Sequence, residues 1–298
     1  MNKWARRTGY FLLIVVGAGA GLALAGKLLG ERKMARSIEV PAAHLNVRAD
    51  PAGVEQGRYL FATRGCADCH GANGAGKTVI ADGAMLVVSP NISQGANSAT
   101  RHYREADWVR TVRHGVKPDG RPVLIMPSED YNRLTDADMA ALLAYVAQLP
   151  PVAGQRAVVE LPLPVKALYA VGAVKDAAEK IDHQLPPSKP VAADVSAAHG
   201  AYVANTCMGC HGPQLVGGKM PGAPPSWPPT ANLTPGKGSV MPRYPSAEVF
   251  MATMRSGKRP DGSAISEVMP FSSFKHMNDT DLRALYAYLQ TLPPRDPR

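Results

Sequence analysis

The chain has 298 residues, of which 45% are hydrophobic, and it contains 28 glycines, 27 prolines and four cysteines. This length suits two domains, and the abundance of glycine and proline favours short helices joined by long loops. The net charge of +9 does not indicate a nucleic-acid-binding protein. More than half of the excess lies in residues 1–52, beside a hydrophobic segment, where basic residues flank membrane spans.

The N-terminal segment, residues 1–36, is predicted to be a membrane anchor. Basic residues precede an uncharged run at residues 9–26, and as a helix this run would span about 27 Å, enough for the core of a bilayer. Ala23-Leu24-Ala25 resembles a signal-peptidase site, whose cleavage would release the protein. The basic residues that follow at once favour the uncleaved anchor. Both interpretations place the rest of the chain outside the cytoplasm.

A polar segment, residues 37–52, is predicted to be a short tether to a first domain, residues 53–150. Within this domain, apolar periodicity predicts helices over 54–64, 105–114 and 135–149. Gly115 is expected to end the second helix, and Thr135 to cap the third.

Two short motifs use all four cysteines of the chain: Cys66-Ala67-Asp68-Cys69-His70 and Cys207-Met208-Gly209-Cys210-His211. C-x-x-C-H is the attachment sequence of a c-type haem. Each thiol adds to one vinyl group of the porphyrin, and the adjacent histidine becomes the proximal ligand of the iron. The sequence therefore predicts two covalently bound haems c. The alternative is a structural zinc site, but a histidine directly after each pair has no role in such a site.

The second motif belongs to a second copy of the first domain. The segment starting at Thr135 matches the segment starting at Asn278, and both copies end in Leu-Pro-Pro. We therefore predict a second domain at residues 196–293. Residues 151–195 between the copies form a Pro-rich connector with a short helix expected over 168–181.

The duplication also selects the sixth iron ligands among twelve methionines. Met126 and Met269 each precede a proline, and each lies nine residues before the start of the last helix in its copy. These two are the predicted distal ligands, and the iron ligands are then His70 with Met126 and His211 with Met269. The rival is a second histidine, but His102 and His114 have no equivalents in the second copy.

Three further pairs occupy equivalent positions and are weaker candidates for contacts with haem. Trp108 and Phe250 would pack on the porphyrin, whereas the tyrosine and arginine pairs would bind its propionates. Ordinary packing or solvated roles are the alternative for each. The tyrosine and arginine pairs are Tyr145 with Tyr288 and Arg113 with Arg255.

Each copy resembles a class I cytochrome c domain, with a helix leading into C-x-x-C-H, a Met-Pro loop and a C-terminal helix. The whole chain resembles the membrane-anchored dihaem cytochromes c of bacteria. The resemblance implies an all-α fold of two tandem domains after a transmembrane helix, and the His/Met axial pairs given above. The copies are also similar to the cytochrome subunits of membrane-bound alcohol and gluconate dehydrogenases. Those subunits generally carry three haem motifs, whereas this chain has two.

The predicted function is that of an electron carrier rather than an enzyme, because His/Met ligation leaves no open iron position for a reactant. It would act at the periplasmic face of the cytoplasmic membrane, in a respiratory chain. The expected donor is a dehydrogenase or a quinol-oxidising complex, and the expected acceptor is an oxidase or a soluble cytochrome. The alternatives are a peroxidase-like dihaem enzyme, a dedicated cytochrome subunit of a dehydrogenase complex, and a subunit in which the haems are only structural.

Overall fold

The computed structural model describes residues 3–41, 45–47 and 49–296. It begins with helix α1, Lys3–Met34, which is 32 residues long. At about 1.5 Å per residue, this helix is roughly 48 Å long. Among the described residues, its segment Arg6–Met34 is the one helix long and apolar enough to cross a membrane, and the most apolar part of that segment is not buried in the protein.

The first unit contains helices α2 to α6 and a β-hairpin. The elements are α2 (Pro51–Thr63), α3 (Cys66–His70), β1 (Thr78–Asp82), β2 (Met85–Val88), α4 (Glu105–His114), α5 (Ser128–Tyr131) and α6 (Asp136–Val146). Helix α4 has the predicted bounds and ends at Gly115, which adopts a positive φ of 66°. Thr135 caps α6 as predicted, with its hydroxyl accepting from the Asp138 amide. The α-helix ends at Val146, three residues earlier than expected.

Helices α2 and α6 cross at a glycine. A Cβ atom on Gly57 would overlap the backbone carbonyl of Ala141, so only glycine allows the two helices this close an approach. The crossing brings Phe61 of α2 against Tyr145 of α6, with ring centroids 5.4 Å apart. The long helix that precedes the first cysteine pair is thereby held against the last helix of the unit.

The connector differs from the single helix expected over 168–181. It contains strand β3 (Val158–Glu160) and helices α7 (Leu163–Ala170) and α8 (Ala177–Lys180). Gly172 interrupts the helical run with a φ of 78°. Asp176 then caps α8, because its carboxylate accepts from the Glu179 amide.

A small sheet was not predicted from the sequence. Strands β1 and β2 form an antiparallel hairpin through a turn at Gly83, and β3 adds to the other edge of β2. Ile80, Met85 and Val87 form a separate small core beneath it. The sheet is an addition to a structure that is otherwise mostly helical, as expected for the all-α fold class.

The second unit repeats the helical plan of the first. It contains α9 (Ala197–Ala204), a 3-10 turn (Asn205–Cys207), α10 (Met208–His211), a second 3-10 turn (Met241–Arg243), α11 (Ala247–Ser256), α12 (Phe271–Phe274) and α13 (Asp279–Thr291). Helices α9 and α13 cross at Gly200, where a Cβ would overlap the Ala284 carbonyl. Each unit has its own hydrophobic core.

Candidate haem-binding sites

The first C-x-x-C-H motif forms a single helical turn, α3. Gly65 precedes it with a φ of 80°, which reverses the chain between α2 and the first cysteine. The Nδ1–H of His70 donates to the carbonyl oxygen of Pro90 at 3.0 Å. A histidine held in this way has Nε2 as its metal-binding nitrogen, and the carbonyl fixes the orientation of the ring.

The second motif has the same arrangement. The Nδ1–H of His211 donates to the carbonyl oxygen of Ala231 at 2.8 Å, and the acceptor again lies 20 residues after the histidine. In both units, the residue directly after this acceptor carbonyl is an asparagine, and its side chain stabilises the loop. The side-chain Nδ2 of Asn91 donates to the carbonyl of Val152 at 2.8 Å, and the side-chain Nδ2 of Asn232 donates to the carbonyl of Arg295 at 2.8 Å. The duplication therefore extends to the residues that orient the two imidazoles.

The environment of both motifs suits haem better than zinc. Burial raises the pKa of both the Cys66 and the Cys207 thiol. A structural zinc site is built from four ligands. Within the described ranges, no group of three or more histidine, cysteine or acidic side chains is arranged to hold a metal ion. Burial lowers the pKa of His70 and His211, which keeps both imidazoles in the neutral form that coordinates iron.

The two candidate distal methionines lie against the same cores as the attachment segments. Met126 packs on the first core, which Cys66 and Trp108 also contact. Met269 packs on the second core, together with Cys207. Each unit thus supplies two thiols, an oriented imidazole and a half-buried thioether around one apolar core. This donor set fits a haem c, with the cysteines as attachment points and the histidine and methionine as axial ligands.

The candidate porphyrin neighbours also lie in or against the cores. Trp108 packs edge-on against Tyr103, with centroids 5.3 Å apart. Phe250 is buried, 5.6 Å from the ring of Tyr286. Tyr145 and Tyr288 are half-buried beside the same cores.

The two paired arginines hold the start of the last helix of each unit. Arg113 is buried, pairs with Asp136 at 2.9 Å and donates to the Leu134 carbonyl at 2.9 Å. Arg255 also pairs with the equivalent Asp279, but its side chain is exposed. A propionate contact remains a proposal for either arginine.

Three of the other histidines pair with protein groups, whereas His102 and His276 are exposed on the surface. His114 hydrogen-bonds His183 at 3.1 Å, and His199 donates to Asp281 at 2.8 Å. His44 lies outside the described residues.

The interface between the two units is built from residues to which sequence reasoning assigned no interface role. The hydroxyl of Tyr59 donates to Asp281 at 2.8 Å and accepts from the Asn278 amide at 3.1 Å. The equivalent Tyr202 binds Asp138 and the Thr135 amide in the reciprocal direction. The sequence did contain a signal for these contacts, because both tyrosines and both aspartates occupy matching positions in the two copies.

Each attachment motif also contacts the other unit. The backbone amide of Gly209, inside the second motif, donates to Asp130 at 2.6 Å. The hydroxyl of Ser272 donates to Asp68, inside the first motif, at 2.6 Å. Asp130 lies four residues after Met126, and Ser272 lies three residues after Met269. The candidate distal loop of each unit is therefore next to the attachment motif of the other.

These features define a protein of two related helical units, each with a C-x-x-C-H turn, a positioned histidine and a Met-Pro loop. The sequence model of the cytochrome c family matches residues 54–150 and 196–293, which together are well over half of the chain. The chain belongs to the cytochrome c family. Cytochrome c domains carry covalently bound haem c and serve in electron transfer, and both properties apply to this chain.

Curated relatives include cytochrome subunits of dehydrogenases. The fructose dehydrogenase cytochrome subunit of Gluconobacter japonicus is 26% identical over 288 residues, covering 84% of this chain and 57% of the relative. The alcohol dehydrogenase (quinone) cytochrome c subunit of Gluconobacter oxydans is 26% identical over 284 residues, covering 86% and 58%. A diheme cytochrome c-type protein of Cereibacter sphaeroides is 28% identical over 284 residues, covering 83% and 90%. The chain thus spans less than two thirds of the length of the two dehydrogenase subunits.

Proposed function

We propose that this protein is a dihaem cytochrome c that carries single electrons between membrane-bound partners. The observation that carries the proposal is the repeated histidine geometry: in both units, the Nδ1–H of the motif histidine donates to a carbonyl 20 residues downstream. Haem c bound at such a site supplies one-electron chemistry between ferric and ferrous iron.

The residues of the chain would hold each iron in a closed coordination shell. Cys66, Cys69 and His70 bind the first haem, with Met126 as the distal ligand. Cys207, Cys210 and His211 bind the second, with Met269 as the distal ligand. The proline after each methionine has a restricted φ, which stiffens the loop that presents the thioether. With both axial positions filled, an incoming reactant has no iron site to occupy, and this favours electron transfer over catalysis.

Contacts between the units support transfer between the two sites within one chain. Asp130 binds the second motif, and Ser272 reaches Asp68 of the first. Both contacts join the candidate distal loop of one site to the attachment helix of the other. The two redox centres are then held at a fixed separation rather than on independently moving domains.

The proposed membrane location is based on the N-terminal helix, and the proposed partners are based on the relatives. Helix α1 is long and apolar enough for a single span, and haem c is attached outside the cytoplasm, so we place both haem domains at the periplasmic face. Several relatives are named as cytochrome subunits of dehydrogenases. A membrane-bound dehydrogenase is accordingly the proposed donor, with a quinol-oxidising complex as the alternative. An oxidase or a soluble cytochrome is the proposed acceptor.

Methionine variants test the ligand assignment. Met126→Ala and Met269→Ala should each remove the near-infrared thioether-to-iron band of one haem and lower the reduction potential of that haem alone. Met241→Ala is the matched control, since Met241 also precedes a proline and is buried in the second core. If both axial variants keep the optical and redox properties of the wild type, the proposed ligation is wrong.

The spectrum of the ferric wild-type protein separates the carrier from the enzyme. Two low-spin haems without peroxide turnover are expected for the carrier. A substantial high-spin fraction with turnover would instead indicate an open iron site and a peroxidase-like function. Purification from solubilised membranes, followed by identification of co-purifying subunits, tests the proposed donor.

A further inference from the structure

The connector helix α7 packs tightly on the membrane anchor. A Cβ atom on Gly26 would lie 2.9 Å from the Cβ of Ala167, and one on Gly30 would lie 2.6 Å from the carbonyl oxygen of Lys166. Two glycines four residues apart on one helix face allow a second helix to approach closely. Helix α7 therefore lies against the C-terminal part of α1 rather than against the haem units alone.

This contact lies at the end of the apolar run of α1. Gly26 is the last residue of the uncharged segment, and Lys27, Glu31 and Arg32 follow within two turns. In a membrane helix, the change from apolar to charged residues marks the boundary between the hydrocarbon core and the head groups. If α1 spans the bilayer, α7 lies at the level of that boundary.

Helix α7 and the residue that follows it expose large apolar side chains. Leu163 and Leu168 are exposed, and Val171 has 78% of its surface accessible. On α1, Leu28 and Leu29 are exposed at the same level. The apolar surface of the connector therefore continues the apolar surface of the anchor, which in the proposed function faces lipid.

A network around Tyr169 fixes the anchor to the connector. Lys33 donates from Nζ to the Tyr169 carbonyl at 2.8 Å and lies 4.5 Å from the centre of its ring. Arg36 forms an ion pair at 2.7 Å with Asp176, which also accepts from the Tyr169 hydroxyl at 2.5 Å. Both Tyr169 and Asp176 are buried. These contacts hold the end of α1 against the connector.

The connector in turn contacts the first haem unit. Lys180 forms an ion pair with Glu129 at 2.6 Å. Ala177 packs closely on Gly115, because a Cβ atom built on Gly115 would lie only 2.8 Å from the Cβ of Ala177. Through these packed contacts, the connector fixes the position of the first unit relative to α1. Residues 37–52 were expected to be a short tether, but Ile38 donates to the Gly120 carbonyl at 2.9 Å and Leu45 is buried.

We infer that residues 163–171 are a second membrane-contacting element. The side chains of Leu163, Leu168 and Val171 insert into the interfacial layer of the lipid bilayer beside α1. The haem units are then held at a fixed height and orientation above the membrane, instead of moving on a flexible stalk. This inference rests on the proposed membrane anchor and adds a second point of contact to it.

The test measures the environment of Val171 in the full-length holoprotein. A spin label on Val171→Cys is studied in vesicles of phosphatidylethanolamine and phosphatidylglycerol, with oxygen as the lipid-soluble relaxant and a nickel chelate as the water-soluble one. Val195→Cys is the matched control, because Val195 is an exposed valine of the same connector with 58% of its surface accessible. The oxygen-to-nickel accessibility ratio should be several-fold higher at position 171 than at position 195.

Each other outcome has a distinct meaning. Equal ratios at the two positions, with the protein retained in the vesicles, would overturn the interfacial contact and leave the anchor standing. A label at position 171 shielded from both relaxants would place the segment against protein and would also overturn the inference. Loss of the protein from the vesicles would overturn both the anchor and the contact that depends on it.

A pair of glycine variants tests whether α1 positions the connector. In the labelled Val171→Cys background, Gly30→Leu should push α7 away and lower the accessibility ratio at position 171. Gly19→Leu is the control, since a side chain at Gly19 meets nothing within 4 Å. An unchanged ratio in the Gly30→Leu variant would show that the helix contact does not hold the connector at the membrane.

Discussion

The buried ion pair between the two units makes a quantitative prediction. Arg64 lies 3.0 Å from Asp281, and the two side chains are 5% and 6% exposed. Tyr59 and His199 donate to the same carboxylate, each at 2.8 Å. Asp281→Asn preserves the shape of the side chain but leaves the guanidinium charge of Arg64 buried without its counter-charge. Removing one partner of a buried pair costs about 3–5 kcal/mol, so the free energy of unfolding should fall by that amount.

Asp138→Asn is the matched control for this prediction. Asp138 occupies the equivalent position in the first unit but binds the neutral side chains of Tyr202 and Gln56. The loss there should be about 1 kcal/mol, the net value of an ordinary hydrogen bond. Urea unfolding of the two holoprotein variants, followed by circular dichroism, measures the difference. Equal losses in the two variants would refute the role assigned to the buried charge of Arg64.

The same site predicts a dependence of stability on acid. Burial opposes ionisation of Asp281, but the nearby Arg64 guanidinium and the hydrogen bonds from His199 and Tyr59 lower its pKa below the usual 3.8. The carboxylate therefore stabilises the folded protein above pH 3.8, and this contribution is lost as the pH falls below that value. Asp281→Asn should lose less stability than the wild type over this acidic range.

Two further predictions concern the first unit. Gly57→Ala should destabilise it by about 1–3 kcal/mol, measured by thermal or urea unfolding, because the new Cβ overlaps the Ala141 carbonyl at the helix crossing. A near-neutral effect would show that the crossing can open. Burial, with the neighbouring His183, lowers the pKa of His114 to about 4, so the folded protein should lose stability as the pH falls from about 6.5 to about 4. His114→Gln should reduce that loss, as seen in urea midpoints across the range, and an identical pH profile would contradict the assignment.

Much of the candidate site could be proposed from the sequence because its chemistry is local. The two C-x-x-C-H motifs need five consecutive residues each, and covalent geometry fixes their spacing. Helix α4 was predicted with its bounds because its apolar face and the glycine that ends it lie within eleven residues. The comparison of the two copies then singled out Met126 and Met269 as candidate ligands, since a duplicated chain is expected to repeat its functional positions.

The interface and the anchor junction depended on tertiary structure. Tyr59 and Asp281 are 222 residues apart in the chain, and Lys33 and Tyr169 are 136 residues apart. No local pattern of hydrophobicity or charge specifies such pairs, because they form only when separately folded segments take one relative position. The hairpin at residues 78–88 was missed for a related reason: its strands are short, and β3, which completes the sheet, comes from the connector.

By itself, the sequence determined that this is a duplicated cytochrome c with a hydrophobic N-terminus, because covalent attachment motifs and helix signals act over a few neighbouring residues. Only the tertiary structure decided how the parts are held together. It placed the Met-Pro loop of each unit beside the attachment motif of the other unit, buried an ion pair between the units, and packed a connector helix on the long N-terminal helix. Those contacts depend on the fit between surfaces formed by residues far apart in the chain, and no local sequence pattern specifies that fit.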